Sequence, residues 1–297
     1  MKKHSKGIET KISKTALMNC IARAASFYET RSQYKSGDHI APLLLPRFIR
    51  AMLKTKLFRN ILSKKIIPKG LYEYAIGRTK YVDSVFEDSI KEGFKQVVIL
   101  GAGFDSRGIR FCSQDTTIKI FELDAPPTQN DKTRRLKKGK IEGHDNITFI
   151  PIDLDKESVA DTLARCGFEK GKKTLFVMEG LLPLISAQAV DSIFRFLQSS
   201  SGHGSEVVFD YMHRSVLRKE NSYYGEEEAY NYVQKAGEKV VSGFEDKELG
   251  SFLAEHGFSK QETINSDTMN RMYFSNGNGK NPSVVNEIMC IVRARKT

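Results

Sequence analysis

The stretch Gln96-Val97-Val98-Ile99-Leu100-Gly101-Ala102-Gly103-Phe104-Asp105-Ser106-Arg107 limits the possible folds more than any other. Four consecutive apolar residues, Val97 to Leu100, three of them β-branched, run directly into a Gly-Ala-Gly turn. Such a run, with no polar alternation, reads as a strand buried on both faces, as in parallel sheets. The glycines let the backbone turn sharply and let a ligand approach main-chain atoms where any Cβ would block it. A second apolar run, Ile118 to Phe121, ends in Glu122-Leu123-Asp124. Asp124 lies about 20 residues downstream, where a carboxylate can accept hydrogen bonds from ribose hydroxyls.

The turn does not complete a GxGxxG pattern. Its sixth position is Ser106, and Asp105 stands where the next helix would begin. A bound diphosphate needs those helix amides, and a carboxylate competes for them. A nucleoside bearing a sulfonium and an amino acid has no phosphate to repel. The pattern therefore favours S-adenosylmethionine over a nicotinamide dinucleotide, with a strand-turn-helix that binds nothing as the plain alternative.

After this turn, strands and helices alternate regularly, as in βαβ units. Further strands are expected at Ile147–Ile152, Thr174–Met178, Glu206–Asp210, Phe258–Thr263 and Glu287–Arg293, making seven in all. Helices are expected at Ser158–Cys166, Ala187–Gln198 and Asp246–His256, and Lys132–Lys140 reads as a basic helix with a solvated face. Met272–Phe274 is ambiguous, and Asn276–Pro282 reads as a hairpin-like loop. Before the first strand, helical spacing covers Thr15–Tyr34, Pro46 to about Leu62, and Leu71–Ile90, behind a frayed basic tail at residues 1–14. The expectation is an α/β fold: a helical cap over 1–90 and a mostly parallel seven-stranded core over 91–297. Residues 211–245 form an insertion after the fifth strand, either a lid on the substrate side or ordinary surface helices.

The 297 residues carry a formal net charge of +11, enough to raise nucleic acid or an anionic surface as partners. Much of the excess is local, at Lys2–Lys14, Lys132–Lys140 and Arg293–Lys296, so no nucleic acid is expected. The four cysteines, Cys20, Cys112, Cys166 and Cys290, lie far apart without ligand spacing. No HExxH or similar pattern occurs, so no metal is expected. The longest apolar run, Ile40–Leu45, contains Pro42 and is closed by Pro46. With no signal peptide and no membrane-length segment, a cytoplasmic protein without a membrane partner is expected.

Gly101 and Gly103, Asp124, Asp153 and Glu179 each follow an apolar strand directly. In a doubly wound sheet those carboxyl ends converge on one crevice. Their chemistry suits S-adenosylmethionine. Asp124 would take the ribose hydroxyls, Asp153 the adenine amino group with Leu154 against the ring, and Glu179 the ammonium of the amino-acid end. Each acid alone could instead be a helix N-cap, an alternative that weakens sharply for all three together.

Several of these runs resemble the leucine carboxyl methyltransferase family, most closely its bacterial branch of polyketide-type O-methyltransferases. The resemblance rests on Gly77-Arg78-Thr79-Lys80-Tyr81-Val82-Asp83, on Val98 through Arg107, and on Phe121-Glu122-Leu123-Asp124-Ala125-Pro126. Asp153-Leu154, Glu179-Gly180-Leu181-Leu182, Thr15-Ala16-Leu17, Arg23-Ala24 and Asp38-His39-Ile40-Ala41 extend it in order over most of residues 15–210. It implies a Rossmann-like class I methyltransferase fold that binds S-adenosylmethionine. It further implies that Arg78 holds the methionine carboxylate and that Gly101, Asp124, Asp153, Leu154 and Glu179 line the site. The expected reaction is methyl transfer to a carboxylate or hydroxyl oxygen of a small molecule, with cofactor binding without turnover as the alternative. The chain departs from the family at Pro183-Leu184-Ile185, where a tyrosine-containing run is usual. No catalytic residue can be named, although His213, just past the fifth strand, is the best candidate base. The sequence leaves the oligomeric state open.

Overall fold

The computed structural model describes residues 11–112, 114–141, 145–275 and 284–297. The hairpin-like loop expected at 276–282 and most of the basic tail lie outside the described residues. Helices α1 (Lys14–Phe27), α2 (Arg47–Leu53), α3 (Lys56–Ile61) and α4 (Leu71–Lys91) precede strand β1 (Gln96–Leu100). Then follow α5 (Arg107–Phe111), β2 (Lys119–Asp124), α6 (Pro126–Lys138), β3 (Ile147–Pro151), α7 (Val159–Arg165) and β4 (Thr174–Met178). The remainder is α8 (Ala187–Ser200), β5 (Glu206–Met212), α9 (Arg214–Leu217), α10 (Glu226–Ala236), α11 (Asp246–Glu255), β6 (Phe258–Ile264), α12 (Ser266–Met269) and β7 (Met289–Lys296).

The seven strands form one sheet in the order β3-β2-β1-β4-β5-β7-β6. Strands β1 to β5 run parallel, while β7 is antiparallel to both β5 and β6. The order reverses between β1 and β4, so a crevice opens at their carboxyl ends. Alternate residues serve opposite layers, as the two-residue period of a strand demands. Val97 and Ile99 pack with α1 and α4 on one face, whereas Val98 and Leu100 pack with α7, α8 and α11 on the other. Both layers bury the sheet, which is why its strands read as continuous apolar runs.

Two expectations need correction. The helix expected from Pro46 to Leu62 is two helices, because the Thr55 hydroxyl accepts the Phe58 N–H and starts α3 afresh. The basic face of α6 is not fully solvated: Lys132 is 0 % exposed and forms an ion pair with the equally buried Glu122 of β2. The first helix also ends at Phe27, short of Tyr34, and Asn270–Phe274 forms a π-helical turn. The described cysteines are all free thiols.

Candidate functional site

The turn after β1 is held by backbone bonds that require its glycines. Gly101 and Gly103 adopt φ of +67° and +51°. That geometry lets the Ala102 N–H reach Leu123 O at 2.9 Å and the Gly103 N–H reach Asp124 Oδ2 at 2.6 Å. A Cβ on Gly101 would stand 2.9 Å from Leu181 Cδ1. We expect Gly101→Ala to cost about 1–3 kcal/mol in urea unfolding, from left-handed backbone strain and overpacking against Leu181. An unchanged midpoint would mean that the turn tolerates a side chain.

Gly101, Asp124, Asp153, Leu154 and Glu179 line one cavity. The strand-end residues therefore do converge. Gly103 is not part of that wall and contributes its amide to Asp124 instead. Burial pushes the Asp124 carboxyl up to about 6, against the lowering effect of the Gly103 amide. Asp153 is more open, its Oδ2 taking Lys156 Nζ at 2.8 Å and its Oδ1 the Asp155 N–H at 3.1 Å. Burial also raises the Glu179 carboxyl, although Arg107 and Arg78 stand beside it.

Behind these acids lies a largely buried network of ion pairs. Arg78 on α4 meets Glu179 through Nε at 2.9 Å and Asp210 at the end of β5 through Nη1 at 2.5 Å. Arg107 reaches Asp105 and Glu179 through Nη1, each at 2.5 Å, and Asp83 through Nε at 2.7 Å. Arg110 grips the other side of Asp83, and Arg23 meets the fully buried Asp38 at 3.0 Å. Ser106, which replaces the last glycine of a dinucleotide loop, donates its hydroxyl to Asp38 at 2.7 Å. Asp105 accepts the Arg107 N–H at 2.7 Å, so it does occupy a helix amide.

The sequence alone assigns no role to Asp210 or Arg107. Asp210 obeys the same positional rule as the other acids, since it stands at the end of the apolar run of β5. It is 0 % exposed and accepts the Gly180 N–H at 2.6 Å, fixing the turn that follows Glu179.

A second cavity adjoins the first, and Thr15, Asn19, Gly180 and Leu184 line both. Its walls are almost entirely apolar, and Arg78 is the one charged residue among those described. Pro183 and Leu184, from the run that departs from the family pattern, form part of this wall. Ala229 and Tyr232 of α10 and Val240 also line it, so the stretch after β5 borders this space. Val241 N–H donates to Pro183 O at 2.8 Å, joining that stretch to the wall.

His213 lines neither cavity. Its ring stacks on Tyr223 at 4.5 Å, with Asp246 and Cys290 beside its two nitrogens. It is a packed side chain, which removes the candidate base. Among the described residues no group of three or more His, Cys, Asp or Glu could hold a metal ion.

The model of the leucine carboxyl methyltransferase family matches residues 16–198. A Bacillus subtilis protein named as a candidate S-adenosyl-L-methionine-dependent methyltransferase is 29% identical over 201 residues. That alignment covers 68% of this chain and 66% of the relative. A similarly named protein of Mycolicibacterium paratuberculosis is 26% identical over 67% of this chain and 63% of its own length. The matched region thus spans just under two thirds of these relatives. A crystal structure of a candidate methyltransferase from Thermobifida fusca superposes with a TM-score of 0.60 at 14% identity, covering 97% of this chain and 96% of that one. That likeness shows a shared fold.

Proposed function

Because the chain belongs to the leucine carboxyl methyltransferase family, we propose that it transfers a methyl group from S-adenosylmethionine to an oxygen of a small, largely apolar acceptor. The reading rests on one observation: a cavity walled by strand-end acids shares its side with an apolar cavity. The donor set of the first suits the cofactor. Glu179 lines the first cavity and Arg78 the second, and the two are buried against each other at 2.9 Å, with Arg107 on the other oxygen of Glu179. The ammonium and carboxylate of an amino acid are the groups that would share this pair, the ammonium at Glu179 and the carboxylate at Arg78. Asp124 and Asp153, with Leu154, remain for ribose and adenine. S-adenosylmethionine brings its own activated methyl carbon. The residues of the chain have only to align the partners, which lowers the barrier by orientation.

The apolar cavity favours a carboxylate acceptor over a phenol or alcohol. No carboxylate or imidazole lines it, so no side chain there can take a proton at neutral pH. Burial raises the Tyr74 hydroxyl far above its usual range, and burial raises Tyr232 to about 12. An already ionised carboxylate needs no base. Hydrophobic acids, including polyketide-derived ones, fit such walls.

The test is incubation with methyl-labelled S-adenosylmethionine and matched panels of apolar acids and phenols. We expect label in esters that mild alkali releases. Label found only in alkali-stable ethers would overturn the carboxylate assignment. Binding of the cofactor without transfer to any acceptor would favour a protein of this fold that binds but does not turn over.

A further inference from the structure

Residues 39–72 contain no aspartate or glutamate but eight lysines and arginines. Arg59 is buried against Glu29, and Lys69 meets Glu228. None of the ion pairs among the described residues involves Arg47, Arg50, Lys54, Lys56, Lys64 or Lys65. The same segment carries six of the large apolar side chains that remain exposed: Leu43, Phe48, Met52, Leu57, Ile61 and Ile66. Phe48 and Leu57 are 65 % and 73 % exposed, more than any other large apolar residue described. Phe48 and Met52 are four residues apart on α2, as are Leu57 and Ile61 on α3, so each pair shares one helix face. Single exposed apolar residues are ordinary, but a cluster rimmed by one sign of charge marks a contact surface.

We propose that this face of α2, α3 and the π-helical turn at Leu62–Ile66 docks on an anionic lipid bilayer. Lysines beside exposed Phe, Leu and Ile are what an interfacial helix uses: apolar side chains enter the acyl boundary while the cations meet headgroups. A second copy of the chain is a poorer occupant, because symmetric pairing would set two basic faces against each other. The expectation of no membrane partner rested on the lack of a long apolar run, and it does not address a protein that lies on the surface. Among the described residues no helix is long and apolar enough to cross a membrane. The segment also leads directly into Ile67, Pro68 and Leu71, which line the apolar cavity. Docking would therefore bring that wall close to the lipid, whatever the cavity accepts.

The experiment is co-sedimentation of the full chain with vesicles of phosphatidylcholine alone and of phosphatidylcholine mixed with phosphatidylglycerol. Two variants accompany it, Phe48→Ser with Leu57→Ser, and Lys54→Glu with Lys64→Glu and Lys65→Glu. All five side chains are exposed, and circular dichroism would verify folding. We expect binding to the mixed vesicles that weakens with salt, little binding to phosphatidylcholine, and a loss of about tenfold or more for each variant. Absence of binding to the mixed vesicles overturns the proposal. Binding that survives the serine pair overturns it too, since attraction through general basic charge would then suffice. A dimer broken by the serine pair, with no vesicle binding, would assign the face to a second copy instead.

Discussion

Arg107→Met should destabilise the fold by about 3–5 kcal/mol, the cost of stranding buried carboxylates when their shared cation is removed. Arg107 is 1 % exposed and serves Asp105, Glu179 and Asp83 together. Methionine keeps most of the volume, so the loss reports charge more than cavity. Burial by itself would raise the Asp105 carboxyl, but the Arg107 guanidinium overrides it and holds that group well below the usual range. A lowered folded value contributes stability that is complete above the ordinary value of 3.8 and lost as the pH falls below it. Wild type should therefore lose stability between about pH 4 and lower pH through this group, while Arg107→Met should lack that part of the slope. Urea unfolding at neutral and acid pH measures both. A change under about 1 kcal/mol at neutral pH would show that the network contributes little to folding.

Asp124→Asn should move stability and binding in opposite directions. Burial holds the Asp124 carboxyl at about 6 against an ordinary value of 3.8, so the folded chain takes up a proton that the unfolded chain does not. Stability then falls as the pH rises through that window. Above it the ionised group costs on the order of 2 kcal/mol, less than the full shift because water reaches part of it. Asparagine has no charge and keeps an oxygen for the Gly103 N–H. At pH 8 the variant should gain much of that energy, and at pH 5 much less. Affinity for S-adenosylmethionine should drop roughly 10- to 100-fold, as expected when a charged acceptor of hydroxyl hydrogen bonds is lost. Binding to wild type should also weaken below about pH 6. Titration calorimetry on both proteins decides the matter: equal affinities would remove Asp124 from the ribose role.

Most strands were legible in the sequence because helices cover both faces of the sheet, leaving apolar runs such as Val97–Leu100 and Leu175–Met178. The convergence of Asp124, Asp153 and Glu179 followed from topology alone, since parallel strands share one carboxyl edge. Asp210 satisfies the same rule, but its partners Arg78 and the Gly180 N–H lie on other elements, so its role exists only after packing. Lys132 shows a different limit. Its partner Glu122 lies on another element, and spacing along the chain cannot reveal an ion pair that exists only after packing. The break at Thr55 was hidden because apolar periodicity runs on across it. The position of β7 could not be read either, since an apolar run does not state which neighbours it will pair with.

That position bears on how the protein is made. Strand β6 is synthesised before β7 and among the described strands pairs with β7 alone, so its edge waits for residues 289–296. Until those residues leave the ribosome, β5 also lacks its outer partner, and two open strand edges stand exposed on the nascent chain. Biosynthesis thus passes through an interval in which five strands can assemble while the sixth has nowhere to go, and there chaperone capture or misassociation would act.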